Sequence, residues 1–318
     1  MRSFKRTALV LATLLAVHAT AAWAAADKPV AGVTIKAEKT TLLDFATVGK
    51  TLVAVGERGV VMRSEDGGRS WAGKTTASSR TLTAVAFVND KVGVAVGHGG
   101  TLLRTDDAGQ NWAEVKVKEA GQDALLGITV LKNGNIVVCG AFGLYLVSAD
   151  QGKSWSRQTV IGDDFDRHIS KVIETSKAML LIGETGTMAR STDGGTQWTV
   201  LKSPYAGSYF GILEMGSGAL LAFGMRGNVY RSTDQGDTWE KMPFDSKSTL
   251  NGGSVAADGR VVLAGNNGLL AVSANEGQSF TLLHAPQGTS LSQARLLEGN
   301  DIAFVGFMAV GRQTVPSK

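Results

Sequence analysis

Hydrophobic and polar positions alternate in short runs along most of the chain, and the runs recur. The stretch 82–118 shows the unit most clearly. Residues 82–88 alternate apolar and small side chains, and Asn89-Asp90 turns the chain. Residues 92–96 are a second apolar run, Gly97-His98-Gly99-Gly100 is a second turn, and 101–105 is a third run. A polar segment follows, and then 112–118 alternates strictly, as a strand with one solvated face does. The spacing predicts four antiparallel strands per unit, and no helix-period stretch of useful length follows residue 24.

The polar segment before the fourth strand is the strongest signal. It reads Ser64-Glu65-Asp66-Gly67-Gly68-Arg69-Ser70-Trp71 in the first unit and returns five times as [S/T]-x-[D/N]-x-G-x-[S/T/N/Q]-[W/F]. The paired acid and aromatic positions are Asp66 and Trp71, Asp107 and Trp112, Asp150 and Trp155, Asp193 and Trp198, Asp234 and Trp239, and Asn275 and Phe280. The aromatics lie 41, 43, 43, 41 and 41 residues apart, a period that marks a repeat architecture. A carboxylate accepts N–H groups of its own turn, glycine supplies a positive φ, and the aromatic ring covers the hairpin. The box therefore reads as a self-locking β-hairpin. Four strands per period is one propeller blade.

A second motif, G-x-x-G, sits between strands two and three of each unit, at 56–59, 97–100, 140–143, 183–186, 224–227 and 265–268. Gly306-Phe307-Met308-Ala309 is a degenerate seventh copy. That seventh unit carries three strands and no box. Residues 31–39 resemble the outer strand after a box and have no blade of their own. Pairing them with 291–313 would remove two open sheet edges. The expected fold is all-β: a seven-bladed β-propeller over 25–318 with the N-terminal strand closing the last blade. Six blades with loose ends is the alternative.

Composition changes this picture in three places. Forty glycines against five prolines in 318 residues fit many tight turns. Residues 1–24 have the layout of a secretory signal peptide. Arg2, Lys5 and Arg6 are its basic start, 8–17 its apolar core and Ala22-Trp23-Ala24 its cleavage site. A retained membrane anchor is the competing reading. Cleavage lowers the net charge from +4 to +1, which leaves no strong case for nucleic acid. The expected location is periplasmic or lumenal, free or peripheral on a membrane complex. The single cysteine, Cys139, lies in an apolar strand and reads as a small buried hydrophobe.

The boxes resemble the Asp-box, or bacterial neuraminidase repeat, of sialidases and related propellers. With the turns and the leader, they resemble the photosystem II stability and assembly factor family most. The string G-x-x-G-x-x-x-R-S-x-D-G-G-x-x-W occurs at 56–71 and 183–198. Ala108, Gln151 and Glu276 depart from the usual glycine, and Asn275 and Phe280 from the usual Asp and Trp. The resemblance implies a non-catalytic seven-bladed propeller that binds a nascent membrane protein and assists assembly of its complex. The implied partner is a protein, with no cofactor, no metal and a monomeric propeller.

In propellers, ligands commonly meet the face built from the second-to-third strand turns and the connections between blades. Candidate partner contacts there are Arg58, His98, Phe142, Arg167, Tyr205, Tyr209, Arg226 and Phe307, since aromatics and arginine dominate interfaces. Arg63, Arg104, Arg190 and Arg231 recur just before the boxes and have two readings, a basic ring for a partner or pairs with nearby acids. The rival function is a sialidase-like or other glycoside hydrolase, with Asp163, Asp164, Asp166 and Glu184 as possible carboxylates. The chain lacks Arg-Ile-Pro, H-E-x-x-H, C-x-x-C and a phosphate loop.

Overall fold

In each unit the second strand is buried along nearly its whole length, as at Gly93–Gly97, Ile136–Gly140 and Val261–Gly265. Continuous apolar runs such as Ile136-Val137-Val138-Cys139 require apolar neighbours on both faces of a sheet. A propeller supplies them, because each blade is packed between two others. The fourth strands, such as Ala72–Thr75 and Ser156–Arg157, lie outside this packing and are largely exposed.

A computed structural model describes residues 34–316, with the propeller unit beginning at Ile35. Blade one consists of β1 (Leu42–Val48), β2 (Thr51–Gly56), β3 (Val60–Ser64) and β4 (Ala72–Thr75), paired in that order and antiparallel. Five further four-stranded blades repeat it, with innermost strands at Leu82–Phe87, Leu125–Val130, Ile169–Glu174, Tyr209–Glu214 and Leu250–Val255. The seventh blade has Leu291–Leu296, Asp301–Gly306 and Ala309–Thr314.

The core is seven wedges of apolar side chains, one between each pair of consecutive blades. The wedge of Phe45, Leu52 and Met62 with Ala303 and Val305 joins blade one to blade seven and closes the ring. Arg295 adds to this closure. It donates to the Phe45 carbonyl at 3.1 Å and lies 5.5 Å from the centre of the Phe45 ring.

The expected closing strand needs correction. Residues 31–33, like the expected signal peptide at 1–24, lie outside the described residues. Of the rest, Ala37–Lys39 forms a 3₁₀ turn and no residue from 34 to 39 pairs in a sheet. The turn does pack beside Ala309–Thr314, and Ile35 and Ala37 join the closing wedge. Among the described residues the ring is therefore closed by apolar packing and inner-strand hydrogen bonds, and the last sheet has three strands.

Candidate functional site

The box hairpins lie at one end of the blades and the G-x-x-G turns at the other, with the blade connections on the turn side. At the box end, side chains close every hairpin. The hydroxyls of Ser64, Thr105, Ser148, Ser191, Ser232 and Ser273 each accept a buried glycine N–H, at 2.7–3.0 Å. Each also donates to the box Asp or Asn. The acid accepts exposed N–H groups further along, as Asp193 does from Thr196 and Gln197. Sequence reasoning gave the lock to the carboxylate alone; the buried donor belongs to the hydroxyl.

Hydrogen bonding holds the box carboxyls below their ordinary range. For Asp150 the main cause is the Ser154 hydroxyl, then the Ser154 N–H, and the value falls to about 2. Asn275 does the same work uncharged, accepting Ser279 N–H and donating to its hydroxyl. The indole N–H of Trp112, Trp155, Trp198 and Trp239 donates to the box glycine carbonyl, and that of Trp71 is buried without a partner. Phe280 packs into the wedge between blades five and six and meets Phe244 edge-on.

The arginines at this end are paired. Arg63 meets Glu65 and Arg104 meets Asp106, while Arg190 reaches Asp237 and Arg231 reaches Glu276 in the next blade. Arg104, Arg190 and Arg231 also donate to a carbonyl of the following box. These arginines are clips between hairpins and blades rather than a ring for a partner.

At the turn end the backbone does the closing. The N–H after the first glycine donates to the carbonyl before the innermost strand in all seven blades, as from Glu57 to Thr41 and Phe307 to Ser290. A Cβ on that first glycine would lie 2.0–2.4 Å from the same carbonyl oxygen, which excludes any other residue. In six blades the next two positions have positive φ and close a type I′ turn, as at Arg58 (54°) and Gly59 (66°). The seventh turn is a residue shorter, with Gly306 paired directly to Ala309 and Met308 at φ 49°. This shortening is the physical form of its degenerate sequence.

With the backbone satisfied internally, side chains at this end are left outward. Phe142 (56%), Phe307 (53%) and Met308 (46%) are among the few large apolar side chains exposed in the described residues. Arg58, Arg80, Arg167 and Arg226 make no side-chain hydrogen bond or ion pair among the described residues. Arg58, His98, Arg167 and Arg226 are all exposed, as expected. The turn acids instead face inward: Glu57 accepts Thr41 N–H at 3.0 Å and Glu184 accepts His168 N–H at 2.8 Å.

Two expected contacts differ. Tyr209 is fully buried, with its hydroxyl 2.9 Å from Ser203 Oγ, and burial pushes that hydroxyl's pKa up. It belongs to the wedge between blades four and five and cannot anchor a partner. Tyr205 is half-buried, stacked on Tyr230 and edge-on to Tyr209. The exposed aromatic is Phe210 (37%), which sequence reasoning did not single out as an anchor. A β-bulge falls between Tyr209 and Gly211, as it does at the start of every innermost strand, and turns Phe210 toward the central channel. That channel, of about 600 Å3, is lined by the innermost strands, including Asp44, Lys171 and Arg295.

The connection between blades three and four, residues 158–168, borders a cavity of about 480 Å3 lined by Ile161, Phe165, Met188 and Val200 with Asp163, Asp164 and Asp166. Among the described residues no group of three or more His, Cys, Asp or Glu is placed to hold a metal. Cys139 is fully buried, and burial pushes its thiol up to about 12, so it is inert packing.

Fold and face define a class: a seven-bladed β-propeller with one end sealed by side-chain boxes and the other presenting turn side chains. The profile of the Photosynthesis system II assembly factor YCF48 family matches residues 22–132 and 75–287, and the chain belongs to that family. Solved structures agree in fold. YCF48 bound to a D1 peptide superimposes with a TM-score of 0.71 at 19% identity, over 90% of this chain and 96% of that one. YCF48 from Cyanidioschyzon merolae gives 0.66 at 17%, over 84% and 93%. Virginiamycin B lyase from Staphylococcus aureus gives 0.75 at 14%, over 89% and 98%, so the fold alone does not separate binders from enzymes. The sequence has no match among curated proteins.

Proposed function

We propose that this chain is a non-enzymatic, exported propeller that docks a peptide segment of a membrane-complex subunit on its turn face and assists assembly of that complex. The observation that carries this reading is the contrast between the two ends. Arginines at the box end are spent on pairing, whereas Arg58, Arg167 and Arg226 stand exposed at the turn end, as Phe142, Phe307 and Met308 do. Unpaired guanidinium groups and exposed aromatics are the residue types that anchor protein interfaces. Family membership supports the assembly role, and a similar protein of that name has been solved with a peptide bound. Against a glycoside hydrolase, the Glu184 carboxylate is committed to His168 N–H. The reading of export, to the periplasm or a lumen, rests on the leader-like sequence at 1–24.

The test is capture of a partner from detergent-solubilised envelope membranes by the mature protein. Arg226→Glu should lose the captured subunit while its melting temperature stays at the wild-type value. Undiminished capture would remove the turn face from the reading. Turnover of an aryl glycoside that disappears in Asp164→Asn would replace the reading with a hydrolase. N-terminal sequencing of the protein recovered from a periplasmic extract tests export; a start at Met1 would contradict it.

A further inference from the structure

The cavity of about 480 Å3 between the 158–168 connection and blade four has a charged rim and an apolar wall. Asp163, Asp164 and Asp166 line it against one cation, Arg167. All four are exposed, and none of the three carboxylates has a hydrogen-bond or ion-pair partner among the described residues. Of the wall, Ile161 and Phe165 are half-buried, and Val200 is 62% exposed. An acidic rim alone would be a solvated loop; a side chain at the inner end of the cavity makes it more.

That side chain is Thr187. It is 6% exposed, it lines the cavity, and its hydroxyl is buried without a hydrogen-bond partner among the described residues. The repeat shows what this position does elsewhere. The residue after the turn is apolar in blades one, three and six, as Val60, Leu144 and Leu269. In blades two and five it is polar and satisfied by its own turn. Thr101 Oγ1 donates to the His98 carbonyl and Asn228 Nδ2 to the Met225 carbonyl, each at 2.9 Å. Thr187 has the matching carbonyl at Glu184 and leaves its hydroxyl off it. Its backbone is extended (φ −60°, ψ 123°), so it shares a face with Ala189 two residues on. Ala189 pairs with Val200 and packs with Ile161 and Phe165, so Thr187 faces the connection. A buried hydroxyl without a partner is costly, and one facing a cavity points to what the cavity holds.

We propose that this cavity binds a small aliphatic ammonium compound with a neutral hydrogen-bonding group at its far end. The net negative rim takes the ammonium, Ile161, Phe165 and Val200 take the hydrocarbon stem, and Thr187 meets the far end. The far end is neutral because one hydroxyl cannot replace the water lost by a buried cation. The three aspartates are not grouped to hold a metal ion, which leaves an organic cation as the occupant. The site lies apart from the exposed arginines of the other turns, and its test needs no protein partner, so it stands or falls separately from the docking reading.

The experiment titrates the mature chain at low ionic strength with four probes of one length: 6-aminohexan-1-ol, hexylamine, hexane-1,6-diol and 6-hydroxyhexanoate. The amino alcohol should bind with a dissociation constant of about 1 mM or lower. Hexylamine, which lacks the far hydroxyl, should bind about fivefold more weakly. The diol, which lacks the charge, should bind at least fivefold more weakly, and the carboxylate should not bind. Thr187→Val removes the hydroxyl and keeps the shape that Val60 has in blade one. It should abolish the preference over hexylamine and melt at or above the wild-type temperature. Asp163→Asn with Asp166→Asn should abolish the preference over the diol. Failure of the amino alcohol to bind overturns the site, as does equal affinity for the diol or for hexylamine. Either preference surviving in its variant would place the binding elsewhere. A lower melting temperature in Thr187→Val would mean that the fold already uses the hydroxyl, and the proposal would fall.

Discussion

At the box end of the propeller a side chain closes every hairpin; at the turn end the backbone closes it and the side chains are released. The boxes recur in six blades and the turns in all seven, and both rely on glycine. The difference lies in what the repeat leaves over. At the box, Ser191, Asp193 and Trp198 all bond within a few residues of themselves, and Arg190 is drawn across to Asp237. At the turn of the same blade the N–H of Glu184 bonds to His168, and Thr185 is left facing solvent. A fold stabilised in this way can vary its turn residues without losing its shape, and the box residues can vary little. This allocation explains why boxes are recognisable in sequence while turn contents differ from blade to blade.

The largest expected effect tests the backbone side of the contrast. In Gly183→Ala the new Cβ would sit 2.1 Å from the His168 carbonyl oxygen, and backbone must move. We expect a loss of about 3 kcal/mol in urea unfolding. Gly194→Ala at the box has open space and only an unfavourable φ of 75°, so it should lose about 1 kcal/mol. Equal losses would mean that the turn end is not held by this contact.

Next in size is the box hydroxyl. Ser191→Ala leaves the buried Gly195 N–H without its acceptor, which costs roughly 2 kcal/mol. Thr185→Asn at the turn of the same blade should be neutral or stabilising. The comparison fails if Ser191→Ala melts like wild type.

A smaller effect appears in acid. Asp150 is held at about 2 by the Ser154 hydroxyl and N–H. For Asp234, burial pulls upward, but the Thr238 hydroxyl and N–H prevail and the value again falls to about 2. A carboxyl whose folded pKa is depressed stabilises the fold above its unfolded pKa near 4. That contribution is lost as pH falls from about 4 toward 2. Melting temperature should drop across that window. Asp150→Asn should make the drop shallower, as box six already manages with Asn275. An unchanged slope would show that the box carboxylates do not carry the acid sensitivity.

Much of this was legible in the sequence because repetition substitutes for depth. Six boxes and seven turns fix blade number, strand order and which loops share an end. Single positions were harder. Tyr209 was read as part of an exposed blade connection, but it begins the innermost strand, and the bulge between Tyr209 and Gly211 buries it and exposes Phe210. Inter-blade pairs such as Arg231 with Glu276 span 45 residues, and no local pattern announces them. Ala108, Gln151, Gln235 and Glu276 adopt the same left-handed backbone as the box glycines they replace, so a missing glycine did not mean a missing turn. The closing segment at 31–39 resembled the outer strand after a box, and its described residues, 34–39, pack without entering the ladder.

The smallest effect is the sharpest test, because it compares two arginines five residues apart in one blade. Arg231 is mostly buried, donates to the Glu276 carbonyl at 3.1 Å and meets the Glu276 carboxylate at 3.3 Å. Arg231→Gln should cost about 1 kcal/mol through the lost clip between blades five and six. Arg226→Gln should change stability by no more than about 0.5 kcal/mol, since its side chain has no hydrogen-bond or ion-pair partner among the described residues. Urea melts of both variants and the double variant measure the difference, and the two effects should add. A cost at Arg226 matching that at Arg231 would mean the turn-end arginine is also engaged in the fold. The released side chain, the feature on which the docking face depends, would then be gone. A cost confined to Arg231 ties the difference to pairing rather than to residue type, since the two side chains are chemically identical.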